Sequence, residues 1–213
     1  MQFDALIFDL DGTLWNSSET VAASWRHTIA SGYEPLIQPD GDMIRGLMGM
    51  TEAQIRESVF GVYGEKAAEV CAACLDGEPA YIREHGAMLF PGLEEMLSTL
   101  SESYPLFLVS NCQSGYIESF LYCSGMGRYI KAHTCEGDTG MGKADNIRLI
   151  MEQNGVKSAV YIGDTASDER SAAAAGCPFI HAAYGFGTAL SPVAVAKRLD
   201  EIPEIIRTLT EEN

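Results

Sequence analysis

Short apolar runs that each close on a turn or a polar cluster constrain this chain more than any other feature. "ALIFDLDG" from Ala5, "LFLVSN" from Leu106, "IKAHTCE" from Ile130, "AVYIGDT" from Ala159 and "PFIHAA" from Pro178 read as buried strands. Between the later runs lie helical patterns that stop at Gly125, Gly155 and Gly176, and glycine suits a helix C-cap. Strands alternating with helices predict an α/β, Rossmann-like core, a doubly wound parallel sheet covered on both faces. Ligands of such sheets bind beyond the carboxyl ends of the strands.

Those ends carry the chemistry. The first run finishes in Asp9-Leu10-Asp11-Gly12-Thr13, the second in Ser110-Asn111 and the fourth in Gly163-Asp164-Thr165, while Lys143 opens the helix after the third. Each cluster alone is ordinary turn or cap chemistry. Together they bring carboxylates, hydroxyls, an amide and one lysine to a single rim. Residues 16–85 have a different texture. "SETVAASWRHTIASG", "DMIRGLMG", "TEAQIRESVFG" and "EKAAEVCAACLDGEPAYIRE" are all helical, and Thr51 with Gln54 makes a capping box. The expectation is a helical cap domain at 16–85 inserted into a core made of 1–15 and 86–213. Pro91 is placed in the first turn of the helix that re-enters the core.

Composition narrows the partners. Thirty acids against 14 bases give a formal charge of −16 in 213 residues, which argues against nucleic acid and anionic membrane as partners. A small phosphorylated ligand remains compatible, because a lysine or a metal ion can reverse the field inside one pocket. "MQFDALIFDLDG" has no basic leader and no apolar run approaches the ~20 residues of a membrane span, so a cytoplasmic location is expected. Cys71 and Cys74 form a CxxC, but within a helical pattern and with no second ligand pair nearby. They read as core residues one turn apart rather than as a zinc or redox site.

At "DLDGTL" the sequence resembles the haloacid dehalogenase superfamily, in its phosphatase branch with an inserted helical cap, the group of phosphoglycolate phosphatase and beta-phosphoglucomutase. Ser110-Asn111, Lys143 and Gly163-Asp164-Thr165-x-x-Asp168 follow in order, and the resemblance covers essentially the whole chain. The family lysine is often followed by proline, where this chain has Ala144. The resemblance implies a magnesium-dependent phosphatase acting on a small-molecule phosphate ester. Asp9 would attack phosphorus to form an aspartyl-phosphate, and Asp11 would protonate the leaving alkoxide and later activate water. Magnesium would be bound by Asp9, the backbone carbonyl of Asp11 and Asp164, with Asp168 supporting its shell or orienting Lys143. Thr13, Ser110, Asn111 and Lys143 would hold the phosphoryl oxygens. Arg45 and Arg83 are the cap cations expected to meet a substrate carboxylate or second phosphate, or else solvated helix-face charges.

Three other readings stay open. "GDTGMGKA", residues 137–144, nearly matches a phosphate-binding P-loop, but Ala144 stands where a hydroxyl is required. A phosphate-accepting regulatory module also pairs strand-end aspartates with a lysine, though it needs neither Asp11 nor a helical insertion. A phosphomutase needs a histidine that the resemblance places at about Val21. Hydrolysis is the preferred reading.

Overall fold

A computed structural model describes residues 1–211. Its strands are β1 (Ala5–Phe8), β2 (Trp15–Asn16), β3 (Met88–Leu89), β4 (Leu106–Ser110), β5 (Ile130–Cys135), β6 (Ala159–Gly163), β7 (Phe179–Ala182) and β8 (Ala194–Ala196). Its helices are α1 (Ser18–Gly32), α2 (Gly41–Leu47), α3 (Glu52–Val59), α4 (Ala67–His85), α5 (Leu93–Ser101), α6 (Tyr116–Ser124), α7 (Glu136–Thr139), α8 (Lys143–Gln153), α9 (Ala166–Ala175) and α10 (Ile202–Glu211). Six strands form one sheet in the order β5-β4-β1-β6-β7-β8, and every neighbouring pair is parallel. The predicted doubly wound α/β core is therefore present.

The side-chain period of two explains why the central runs are continuously apolar. Leu6 and Phe8 of β1 join Leu106, Leu108, Val160 and Ile162 in one core cluster. Ala5 and Ile7 join Phe107, Val109, Ala159 and Tyr161 in a second, on the opposite face. The central strands thus bury side chains on both sides. β1 lies between β4 and β6, so the residues following these three strands emerge side by side. Asp9, Asn111 and Asp164 occupy those positions.

Between β1 and β4 the chain makes α1 to α4. The two connections to these helices run together as the antiparallel pair β2–β3, with Trp15 opposite Leu89 and Asn16 opposite Met88. The helical segment is not isolated from the sheet, because Val21, Trp25, Ile44, Phe60 and Val70 belong to the same core cluster as Leu6 and Phe8. Trp15 bridges the two parts, edge-on to Tyr116 at 6.0 Å and to Phe120 at 4.9 Å between ring centroids. The Thr51–Gln54 capping box forms as expected.

Some local expectations shift. Gly125 and Gly176 are left-handed C-caps, whereas Asn154 caps α8 and Gly155 follows it. Pro91 lies two residues before α5, because Gly92 turns left-handed and supplies the N-cap itself. The strand β8 at the sheet edge and the short pair β2–β3 are not among the strands expected from sequence. No helix among the described residues is long and apolar enough to cross a membrane.

Ile7 sits at the centre of this sheet with no exposed surface. Ile7→Ala should lower unfolding free energy by ~2–5 kcal/mol, the usual cost of emptying a packed core site. Urea unfolding followed by far-UV circular dichroism measures it.

Candidate active site

The carboxylate of Asp9 comes off the end of β1, where its backbone N–H donates to Ile162 O on the neighbouring strand at 2.8 Å. Lys143, the first residue of α8, reaches it from the far side of the rim. Its Nζ lies 2.8 Å from Asp9 Oδ1 and 2.5 Å from Asp168 Oδ1, and all three side chains are buried. Asp168 is fixed in turn by its own helix. Its Oδ2 accepts from the backbone N–H and the hydroxyl of Thr165, and the Thr165 hydroxyl accepts from the Asp168 N–H, a complete capping box.

Burial opposes the Lys143 charge, but Asp168 and then Asp9 more than offset it and hold the ammonium well above the ordinary lysine range. Burial pushes Asp9 up, while Lys143 pulls it down. Asp164, at the end of β6, is raised to about 7 by burial and by the charge of Asp168. Its Oδ2 accepts from Phe186 N–H at 2.7 Å, and its Oδ1 is buried with no hydrogen-bond partner. Gly12 permits this closeness: its φ is +78°, and a Cβ there would stand 2.2 Å from Asp164 Oδ2.

Carboxylate oxygens of Asp9, Asp164 and Asp168 lie within 4.8 Å of one another. An all-oxygen donor set with an orphaned buried oxygen suits a hard divalent cation such as magnesium. Asp168 has both oxygens engaged by Lys143 and Thr165, so Asp9 and Asp164 are the side chains with free oxygens. The Asp11 carboxylate is not part of this group. Its Oδ1 receives Trp15 Nε1 at 2.8 Å, Tyr116 OH at 3.0 Å and the Ser17 hydroxyl. Burial raises its pKa, and those donors work against the rise.

The haloacid dehalogenase-like hydrolase profile matches residues 6–182. The chain belongs to the haloacid dehalogenase-like hydrolase family. Among curated proteins it is 26% identical over 204 residues to a phosphoglycolate phosphatase of Escherichia coli, covering 84% of this chain and 81% of that one. A phosphoglycolate phosphatase of Synechococcus elongatus is 28% identical over 205 residues, covering 89% and 88%. Among solved structures, a haloacid dehalogenase-like hydrolase from Streptococcus pneumoniae superposes with a TM-score of 0.80 at 25% identity, over 95% of this chain and 98% of that one. A predicted phosphoglycolate phosphatase from Haemophilus somnus shares the fold with a TM-score of 0.81 at 20% identity, over 97% and 99%.

In this hydrolase a cavity opens between the strand ends and the helical segment. Asp9, Asp11, Ser110, Asn111 and Lys143 line its floor. Asn111 Nδ2 also donates to Gly49 O at 3.2 Å, tying β4's end to the loop after α2. Thr13 is placed differently from the expectation. It is fully buried, does not line the cavity and has an unpartnered hydroxyl oxygen, because its loop folds inward under Tyr184, whose OH donates to Thr13 O at 2.8 Å. Arg45 and Arg83 do not line the cavity either. Arg45 donates to Ser18 Oγ at 3.1 Å and pairs with Asp42, and Arg83 lies over the Tyr122 ring at 3.7 Å. Cys71 and Cys74 are buried free thiols, with burial raising them to about 11 and about 12, as core residues should be.

The P-loop reading loses its geometry. A Cβ on Gly137 would stand 2.2 Å from Ser114 N, so this glycine packs against backbone rather than cradling phosphate. Lys143 Nζ is held by two aspartates.

Sequence reasoning missed Glu78. It lines the cavity, is 4% exposed, and accepts from Trp25 Nε1 and from Gln113 Nε2 at 2.6 Å. Its place on the buried stripe Cys71, Cys74, Leu75, Ile82 of α4 is the signal that could have found it. Burial raises its carboxyl from 4.5 to about 8 against the pull of its two donors. The folded chain therefore binds this proton more tightly than the unfolded chain. The resulting stabilisation is full below about pH 4.5 and is lost as pH rises through about 8. Glu78→Gln, neutral throughout, should flatten the fall of the urea midpoint with pH over that window, measured with chelator present. An unchanged slope would show that Glu78 is not buried in its neutral form.

Proposed function

We propose that this hydrolase is a magnesium-dependent phosphatase that cleaves a small-molecule phosphomonoester through an aspartyl-phosphate on Asp9. The observation that carries the reading is the pairing of two strand-end carboxylates with different surroundings. Burial raises the pKa of Asp9, and the Lys143 ammonium against which it is held works in the other direction, toward the charged, attacking form. Asp11 is held by three donors on Oδ1, with Oδ2 making no hydrogen bond among the described residues and its pKa raised by burial. One group is prepared to attack and the other to carry a proton.

In the first half-reaction an Asp9 oxygen bonds to phosphorus as the bond to the ester oxygen breaks, and Asp11 gives its proton to the departing alkoxide. In the second, Asp11 takes a proton from water, the water oxygen bonds to phosphorus, and the bond to Asp9 breaks. Ser110 and Asn111 line the same floor and offer donors to the phosphoryl oxygens. Asp9 and Asp164 would hold the magnesium, which supplies positive charge opposite the phosphoryl oxygens. Asp168 positions Lys143. Residues 16–85 act as the cap that closes over the substrate and shuts out bulk water. Phosphoglycolate, the substrate in the names of the curated relatives, and sugar phosphates are the first substrate classes to test.

The mutase reading is not favoured. Val21, where the resemblance puts the mutase histidine, is a buried apolar residue on the cavity wall.

Hydrolysis of 4-nitrophenyl phosphate with magnesium should stop with chelator and in Asp9→Asn, whose amide cannot form the acyl phosphate. Lys143→Met should cost ~10²–10³-fold in kcat, the scale of removing one transition-state stabiliser. Wild-type turnover in Asp9→Asn would refute the covalent route. ATP hydrolysis that survives Asp9→Asn would restore the P-loop alternative.

A further inference from the structure

The cavity has two chemically opposite ends. Its floor is the aspartate–lysine cluster. Its roof is supplied by Val21, Trp25, Ile44, Leu47, Met48 and Leu75, all apolar, and Glu78 is the ionisable group among the roof residues of the helical segment. Lys143 is the only lysine or arginine among the lining residues, and its ammonium is committed to Asp9 and Asp168. None of the four arginines of residues 16–85 lines the cavity, and Arg45 and Arg83 are engaged with Asp42 and with Tyr122.

From this lining we infer that the substrate is the phosphomonoester of a compact, uncharged alcohol with an apolar body. Glu78 is the polar group of the helical segment that would meet a hydroxyl on such a leaving group. The inference rests on the phosphatase reading and names its substrate class. A negative leaving group would enter an apolar space whose lining offers it no free cation. An alkyl or hydroxyalkyl leaving group meets no such penalty. Its carbon body lies against the aliphatic and aromatic roof, and one hydroxyl finds the Glu78 carboxyl, which Trp25 and Gln113 hold in place. Size points the same way. The cavity measures about 80 Å³, and one water needs about 10–15 Å³ of such space, so a phosphoryl group and a few further atoms fill it.

The test compares kcat/KM for propyl phosphate and 2-phosphoglycolate, which are close in size and differ in the carboxylate, with 4-nitrophenyl phosphate as the reference. In the wild type with magnesium, propyl phosphate should be preferred by at least about tenfold, since an unpaired buried charge is among the strongest means of rejection. Glu78→Leu, which removes the partner of a leaving-group hydroxyl, should lower kcat/KM for 3-hydroxypropyl phosphate severalfold relative to propyl phosphate. Equal or reversed preference in the wild type overturns the substrate class. A relative rate for 3-hydroxypropyl phosphate unchanged in Glu78→Leu, in protein shown folded by circular dichroism, overturns the role of Glu78. Failure to cleave even 4-nitrophenyl phosphate would instead remove the phosphatase reading, and this inference with it.

Discussion

The Lys143 ammonium, buried between Asp9 and Asp168, is the interaction on which the rest of the rim depends. It joins residues 134 positions apart in sequence, and it does so where neither partner is solvated. The chain of support has a direction. Thr165 fixes Asp168 through the capping box of α9, Asp168 fixes Lys143, and Lys143 fixes Asp9. Removing one member of a buried ion pair typically costs ~3–5 kcal/mol, because the other charge is left uncompensated. One lysine does not balance three buried carboxylates. The excess negative charge shows in the raised pKa values of Asp9 and Asp164, where neighbouring carboxylates add to the effect of burial. A divalent cation would remove that excess, so the same imbalance that strains the free site prepares it for a metal.

Asp11 answers to a different constraint. Its three donors come from both sides of the molecule: Ser17 precedes the first helix of the inserted segment, Trp15 lies on the β2–β3 connection, and Tyr116 begins α6 of the core. Tyr116 OH also lies 2.9 Å from Ser17 Oγ. Movement of α1 away from α6 would part these groups and free the Asp11 side chain to turn. In the proposed mechanism the proton-transfer carboxylate would hold this orientation only while α1 is seated against α6. The apolar continuity through Trp15, Tyr116 and Phe120 favours that seated arrangement.

What the sequence made legible was the chemistry at strand ends. Strands buried on both faces leave unbroken apolar runs, so Asp9, Ser110, Asn111 and Asp164 could be placed at one rim without knowing any contact. The shape of the inserted helices was less legible. Arg45 and Arg83 stand out by charge, but each follows a buried isoleucine, Ile44 and Ile82, and the next residue of a helix points ~100° away. Phase, not charge, decides what faces a cavity. By the same phase Glu78 faces inward, an acid on an apolar stripe. Thr13 lies off the cavity lining for a related reason: a turn residue's direction depends on the loop that packs over it, here the one carrying Tyr184.

The glycine-rich stretch before Lys143 shows how one loop serves both ends of the cavity. Gly137 N–H donates to Cys112 O at 3.0 Å, and its missing Cβ lets the backbone of Gln113 and Ser114 come within van der Waals contact. That close approach sets where Gln113 lies. Gln113 Nε2 then donates to Leu75 O at 2.9 Å and to Glu78 Oε2 at 2.6 Å, fastening the loop after β4 to α4 across the cavity wall. Six residues later the same stretch delivers Lys143 to Asp9. Likeness to a nucleotide loop thus arises from two separate demands, a glycine needed for backbone packing and a lysine needed for a buried carboxylate. In a nucleotide loop both would face one phosphate. Here the glycine shapes the wall that would meet the leaving group, and the lysine holds the carboxylate that would meet the phosphoryl group.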